Sequence, residues 1–572
     1  MFTSFIQACM NSGDCMPQAM DAYNRWLAYA HLDEQTRAEL EAIRDNPQEI
    51  ADRFWRGLSF GTGGLRGIMG AGTNRVNAYT VAKVTRGFAK YLNSISELPS
   101  CAIGYDSRHG SRAFAQLAAA VLAEKGVRVH LFEELVPTPM LSFAVRYLRC
   151  DGGVMITASH NPSDYNGYKV YDRTGCQVSD AVASEIADHI ARQSDLVMRL
   201  PDFAEYQQKG HIRAIGRDVG DAFQEAVLQH SLLMPPAPLH VVYTPLHGAG
   251  NRPVRRMLGS LPNIRVSVVS QQENPDGDFP TAPKPNPENP QAMALAVQLM
   301  EELEADICLA TDPDCDRLGV GVRTREGSVL LTGNQVGVLL FHFICEGRTV
   351  REDMPQGPIA IRSIVTTPMA DVIAQHYGVQ MVRVLTGFKY VGDKINRLAR
   401  EGMADRFLFA FEESIGYLIG TYARDKDAVG AAMMVCEMAS YYRSLGMDLV
   451  AAYQALEERW GIYLSALESI RFEGAQGAAD LKRVMEALRQ QEQIIGLDIE
   501  ERVDYLTDET DLPPSDVLTF RLAGGRHLAV RPSGTEPLLK LYLTLQGKES
   551  EQAQADMDAF RHAVRAMIDS LV

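Results

Sequence analysis

One pattern recurs three times along the chain. An apolar run rich in Val, Ile and Leu gives way to a polar loop, a helical stretch, and further apolar runs that each close on a polar loop. In the first copy the runs are CAIGYD, VRVHLFEELVPTP and GGVMITASHN; in the second, HVVYTPLHG, IRVSVVSQQENP and ADICLATDPD; in the third, IAIRSIVTTP, VQMVRVLTGFKY and RFLFAFEES. Near-continuous apolar runs suit strands buried on both faces, with helices covering them. The spacing predicts an α/β architecture of three similar units with mixed, mostly parallel sheets. Residues 1–55 read as amphipathic helices preceding the first unit. The C-terminal stretch alternates apolar and polar residues, as half-exposed antiparallel strands do, and closes on a helical segment, EQAQADMDAFRHAVRAMIDSLV. It predicts a fourth, α+β domain. The expected divisions are 1–214, 215–325, 326–455 and 456–572. The Pro-rich stretch 274–292 reads as a loop that ends with Asn289 as a helix N-cap and Pro290 at the first helical position.

Charge narrows the function. Lys+Arg 56 against Asp+Glu 72 gives −16, which excludes a general nucleic-acid binder needing a net basic face. A small anionic substrate remains compatible, since a few Arg and Lys can be gathered in one cleft. The nine cysteines form no CxxC pair, so a reducing compartment is expected. The N-terminus lacks a basic stretch followed by a long apolar core, and the apolar run GVLLFHFICEG is too short for a bilayer. The expectation is a cytoplasmic protein with no membrane partner.

In α/β sheets ligands bind where strands end in loops, so TASHNP, TDPDCDR and FEES are expected to converge on one cleft. In TDPDCDR, Asp312, Asp314 and Asp316 alternate. Three carboxylates on one tight loop repel one another unless a cation sits between them. Hard oxygen donors without His or a thiolate pattern point to Mg²⁺. An EF-hand is excluded, because Arg317 and Arg323 stand where Gly and Glu would be required. Cys315 is expected to point away, and Arg317 adds a fixed cation suited to phosphate. In TASHNPSDYNGYKVY, Ser159 and His160 are adjacent and cannot form a serine triad by spacing, and Lys169 follows ten residues after Ser159. Ser159 reads either as a turn cap or as a hydroxyl that accepts and donates a phosphoryl group. RPSGTEP offers Arg531 as a phosphate fork, Ser533 and Thr535 as hydroxyl donors, and Gly534 for an inward turn of backbone amides. FEESIGY brings Glu412, Glu413 and Ser414, which read either as a solvated strand-end turn or as partners for vicinal sugar hydroxyls. GTGGLRG is out of register for a dinucleotide fingerprint, and Arg66 is its notable residue. In DKDAVGAA, Asp427 reads as a helix cap, and His109, His247 and His342 read as structural or surface residues.

Taken in order, TASHNP, DPDCDR, EESIG and RPSGTEP resemble the α-D-phosphohexomutase superfamily, over nearly the whole chain. The flanking NRVNAYTV, YNGYKVYD, YTPLHGAG, TGFKY and DKD are most similar to its phosphoglucomutase-2/phosphopentomutase branch. The resemblance implies four domains around a central cleft and a phosphoserine at Ser159. It implies Mg²⁺ on Asp312, Asp314, Asp316 and a phosphoserine oxygen, Glu412 and Ser414 on the sugar, and Arg531, Ser533, Gly534 and Thr535 on the non-reacting phosphate. Arg66, His160, Lys169, Arg317 and Lys389 would line the reacting end, with Lys169 or His160 as general acid/base. The implied activity interconverts glucose 1-phosphate and glucose 6-phosphate through glucose 1,6-bisphosphate. The alternatives are a phosphopentomutase, a phosphomannomutase, or a non-catalytic sugar-phosphate sensor. Phe411 opens the sugar loop where many members of the family carry Gly.

Overall fold

The computed structural model describes residues 15–61, 63–196, 199–232, 236–472, 477–533 and 538–571. Three helices, Cys15–Leu27, Glu34–Ala42 and Pro47–Phe54, open the described chain. Asp33 and Asn46 cap the second and third, accepting bonds from the Thr36 and Glu49 amides. Trp26 sits edge-on to Phe54 and Tyr79 at 5.7 and 5.4 Å, fastening the helices to the first unit.

The first sheet comprises β1 (Leu65–Ile68), β2 (Ser100–Tyr105), β3 (Arg128–Phe132), β4 (Gly152–Ile156), β5 (Tyr165–Asp172) and β6 (Ile212–Ile215), in the order β1-β5-β4-β2-β3-β6. The second comprises β7 (Leu239–Thr244), β8 (Ile264–Val268), β9 (Ile307–Thr311), β10 (Leu318–Thr324) and β11 (Gly327–Leu331), in the order β11-β10-β9-β7-β8. The third comprises β12 (Ile359–Ser363), β13 (Gln380–Val384), β14 (Phe407–Glu412) and β15 (Gly416–Leu418), in the order β13-β12-β14-β15.

One topology underlies all three. The first strand of each repeat lies between the second and third, all parallel, and the third turns back into an antiparallel neighbour. TASHNP, DPDCDR and EESI occupy that same turn: β4 into β5, β9 into β10, β14 into β15. Every residue of β2, β4, β9 and β14 is buried, as the unbroken apolar runs require.

The fourth sheet is wholly antiparallel: β16 (Ile462–Arg471), β17 (Gln493–Ile494), β18 (Leu497–Asp504), β19 (Leu518–Leu522), β20 (Arg526–Pro532) and β21 (Leu538–Gly547), with the closing helix Ser550–Leu571 packed on it. The expected α/β plus α+β layout is observed. The exact divisions differ: 325/326 falls inside the β10–β11 hairpin, and 455/456 falls inside the helix Leu449–Trp460. Asn289 caps the helix Pro290–Glu302, as the sequence indicates. A single apolar core runs through the second and third units and part of the first. The fourth unit has its own core, and a small cluster of Val365, Ala529 and Tyr542 joins it to the third.

Candidate active site

Ser159 stands on a sharp elbow. Its φ is +52°, a left-handed conformation that costs a non-glycine residue about 1–2 kcal/mol. Arg108 holds the elbow. Its guanidinium donates to the carbonyls of Ser159 at 2.5 Å, Pro162 at 2.7 Å, Tyr165 at 3.1 Å, and Asn161. Asp106, 3.3 Å from Arg108 Nε, accepts in turn from Thr157 Oγ1 at 2.6 Å and Ser111 Oγ at 2.7 Å. Both charged side chains are fully buried.

The elbow aims Ser159 at the second repeat's turn. Ser159 Oγ donates to Asp312 Oδ2 at 2.8 Å, and His160 Nδ1 lies 3.0 Å from the same Oγ. Asp312, Asp314 and Asp316 are buried, and one carboxylate oxygen from each falls within 4.8 Å of the others. The turn is set by Asp312 Oδ1, which accepts from the amides of Asp316 and Arg317, and by Gly248. A Cβ on Gly248 would stand 2.5 Å from Pro313 Cα. Cys315 (φ +54°) does point away, its sulfur buried beside Gly250.

Cations ring these carboxylates. Lys169, opposite Met155 in the β4–β5 register, donates to Asp314 Oδ2 at 2.7 Å and reaches Asp316 Oδ2 at 3.5 Å. Lys426 lies 3.2 Å from Asp316 Oδ2 and 3.2 Å from Asp425 Oδ1. Arg317 Nε is 3.9 Å from Asp316. Burial and the neighbouring Asp314 and Asp316 push the Asp312 carboxyl well above its ordinary range. Burial also opposes charge on Asp314, but Lys169 overrides it and holds that carboxyl below its ordinary range. Burial, with Arg317 and Arg66 nearby, drives the His160 imidazole well below its ordinary value and keeps it neutral. Arg66 is open to solvent and donates to Asn161 Oδ1 of the serine loop at 2.8 Å.

Among the described residues, two buried oxygens, Asp314 Oδ1 and Asp316 Oδ1, have no hydrogen-bond partner. Orphaned anionic oxygens in a buried site are costly. Converging hard donors of this kind fit a divalent cation.

The third repeat's turn comes alongside through a backbone bond from Leu318 N to Ile415 O at 3.0 Å. Glu412 accepts from the Gly387 amide at 2.6 Å, and burial raises its carboxyl. Glu413 accepts from Ser363 Oγ at 3.1 Å; burial and Glu412 push it up to about 7. Ser414 is half-buried in the same turn. Phe411 is a core residue: its ring packs where a Cβ on Gly337 would lie 2.0 Å away, so it does not face the sugar turn.

Lys389 departs from expectation. It does not line the reacting end but bonds Asp180 Oδ1 at 2.6 Å. It shares with Arg531, Gly387 and Tyr390 a cavity of about 380 Å³ where the first, third and fourth units meet. Ser533 extends the β20–β21 pairing through a bond from its amide to Leu538 O at 2.7 Å. Gly534 and Thr535 lie outside the described residues.

Arg108, Thr138, Lys426 and Asp106 carry the site without having been singled out for it in the sequence. Asp427 does cap the helix Ala428–Ser444, but its neighbour Lys426 bonds the metal-type loop. His342 and His247 are buried structural groups, bonded to Tyr442 and to Thr281, and His109 pairs with Asp278 at the surface.

A serine on a left-handed elbow against a carboxylate triad, ringed by fixed cations, is the arrangement a phosphoryl-transfer enzyme needs. Comparison with known proteins agrees. Family descriptions match in sequence: phosphoglucomutase/phosphomannomutase alpha/beta/alpha domain I over residues 57–196, domain II over 221–327, domain III over 332–459, and the C-terminal domain over 470–562. A phosphoglucomutase of Staphylococcus epidermidis is 37% identical over 503 residues, 85% of this chain and 90% of its own. Among solved structures, a putative phosphomannomutase of Thermus thermophilus superposes with TM-score 0.67 at 22% identity, covering 89% of this chain and 99% of its own. The open form of the Paramecium phosphoglucomutase pp63/parafusin gives 0.66 at 17%, covering 90% and 96%. The chain belongs to the phosphoglucomutase/phosphomannomutase family of the α-D-phosphohexomutase superfamily.

Proposed function

We propose that this chain interconverts glucose 1-phosphate and glucose 6-phosphate through a phosphoserine at Ser159 and a glucose 1,6-bisphosphate intermediate. The observation that carries the reading is the Ser159 elbow, with Oγ 2.8 Å from Asp312 beside two carboxylate oxygens that accept no hydrogen bond from the described residues. Staphylococcal relatives named phosphoglucomutase, 37% identical in the case of Staphylococcus epidermidis, support the sugar.

In the forward half-reaction the Ser159 Oγ–P bond breaks and a bond forms between phosphorus and the free sugar hydroxyl. The hydroxyl proton ends on Ser159 Oγ. His160, neutral and 3.0 Å from Oγ, relays that proton. Lys169, held as an ammonium by Asp314 and Asp316, is a fixed cation. Asp312, Asp314, Asp316 and a phosphoserine oxygen would hold Mg²⁺, which when bound polarises the transferring group and offsets its charge. Arg66 and Arg317 lie close enough to the serine turn to add positive charge against the equatorial oxygens. Glu412 and Ser414 orient the hexose. Lys389 and Arg531, with Ser533, Gly534 and Thr535, take the non-reacting phosphate. The bisphosphate then reorients and returns its other phosphoryl group to Ser159. The small cluster at Val365, Ala529 and Tyr542 leaves the fourth unit free to close over the substrate. The compartment we propose is the cytoplasm, since seven of the nine cysteines are buried free thiols.

The test is ³¹P NMR with Mg²⁺ and trace bisphosphate, with glucose 1-phosphate and ribose 1-phosphate competing in one tube, and intact mass before and after phosphatase. Faster turnover of the glucose ester and a phosphatase-sensitive mass are expected. Faster turnover of the ribose ester makes the enzyme a phosphopentomutase. Normal turnover by Ser159→Ala would sink the phosphoserine mechanism.

A further inference from the structure

Thr138 lies 21 residues before Ser159 in the chain and belongs to the first unit, yet its bonds reach into the second. It begins the helix Thr138–Tyr147, directly after Pro137. Its Oγ1 donates to Asp314 Oδ2 at 2.9 Å, and its backbone amide donates to the Asp314 carbonyl at 2.9 Å. Thr138 and Asp314 are both fully buried.

The bonds on Asp314 are unevenly shared. Oδ2 receives Thr138 Oγ1 and Lys169 Nζ, at 2.9 and 2.7 Å. Oδ1 receives no hydrogen bond among the described residues, although it is equally removed from water. A carboxylate with one oxygen doubly occupied and the other empty has had its rotation settled. A half-turn merely exchanges two equivalent oxygens, whereas any smaller rotation breaks both bonds, so the plane of the carboxylate is fixed with one oxygen left unbonded.

We propose that Thr138 is a positioning residue for the metal centre: by pinning Asp314 Oδ2 it turns Oδ1 toward the cation. This rests on the metal reading of the aspartate triad given above. Because the donor comes from the unit that carries Ser159 and the acceptor from the unit that carries the triad, nucleophile and metal ligand are set by one docking event. Outer partners of this kind fix ligand orientation, and their loss typically weakens metal binding by about 10–100-fold.

The experiment is Mn²⁺ binding to the full-length protein, read from the EPR signal of the free ion. Wild type, Thr138→Val, Thr138→Ser and Asp314→Ala are compared, with thermal melts of the metal-free proteins alongside. Val is close in shape to Thr and removes the hydroxyl; Ser keeps it. The expected result is Mn²⁺ binding weakened at least tenfold in Thr138→Val and kept within about threefold in Thr138→Ser. Equal Mn²⁺ affinity in wild type and Thr138→Val overturns the assignment while leaving the metal site intact. Mn²⁺ binding that survives Asp314→Ala, or is missing from wild type, overturns the metal reading itself. If Thr138→Val fails to fold, Thr138→Ala against Thr138→Ser makes the same comparison.

Discussion

Arg108→Met removes the clamp on the serine elbow. Arg108 and Asp106 form a pair 3.3 Å apart with both side chains at 0% exposure. Deleting one partner of a buried pair strands the other and costs about 3–5 kcal/mol. The carbonyls of Ser159, Asn161, Pro162 and Tyr165 lose their shared donor at the same stroke. An exposed pair provides the contrast. Arg256 and Asp221, with side chains 55% and 57% exposed, contribute at most about 1 kcal/mol, so Arg256→Met is the control. At about 2–4 °C per kcal/mol for a domain of this size, Arg108→Met lowers the melting transition of the first unit by about 10 °C. Activity falls further than stability at the assay temperature accounts for. The left-handed Ser159 backbone is no longer held, and an error of about 1 Å at a reacting group costs on the order of 100-fold. Calorimetry measures the first quantity, and a coupled assay of glucose 6-phosphate formation at about 25 °C, where both proteins are folded, measures the second. A melting shift under about 2 °C, or activity within about twofold of wild type, would refute the clamp.

Three further outcomes follow from the same geometry. Lys426→Met takes away the cation 3.2 Å from both Asp316 and Asp425. It is expected to raise the Mg²⁺ concentration needed for half-maximal activity by about 10-fold or more, and an unchanged Mg²⁺ titration would disprove its role. Glu412→Gln weakens the grip on sugar hydroxyls while leaving Ser159 phosphorylated; intact mass and KM report the two separately, and loss of the phosphoserine mass would contradict the assignment. Acid destabilises the fold through His230 and His342, which burial holds at a pKa of about 4 against 6.5 when free. The unfolded chain binds the extra protons, so stability is full above pH 6.5 and falls toward pH 4. Each group accounts for about 3 kcal/mol, and urea titrations of His342→Gln should show that one group's share of the pH dependence removed.

The three-repeat architecture and the serine, aspartate and glutamate turns were legible because strands buried on both faces leave unbroken apolar runs, and the polar residues that interrupt them stand out. The partners that make those turns work were not. Arg108, Thr138 and Lys426 act across gaps of 51, 176 and 110 residues, on Ser159, Asp314 and Asp316, and no local periodicity records a contact of that range. Lys426 was further hidden by Asp427, whose cap bonds account for the charge cluster on local grounds. Lys389 was grouped with the reacting end on resemblance, and its true neighbours, Asp180 and Arg531, depend on how three units meet. The left-handed backbone at Ser159 has no signature in a serine.

In the proposed mechanism the repeated topology gives each unit one chemical task at one address: nucleophile after β4, cation after β9, sugar after β14. The side-chain bonds of the last turn stay at home, Glu412 on Gly387 and Glu413 on Ser363 and Thr366. The turn meets the second unit through the backbone bond from Leu318 N to Ile415 O and through the charge of Glu412 facing Arg317. Changes at Glu413 or Ser414 thus leave the backbone seam to the second unit in place. On that mechanism, sugar preference can shift at these positions while the serine and aspartate turns of the neighbouring sheets stay as they are.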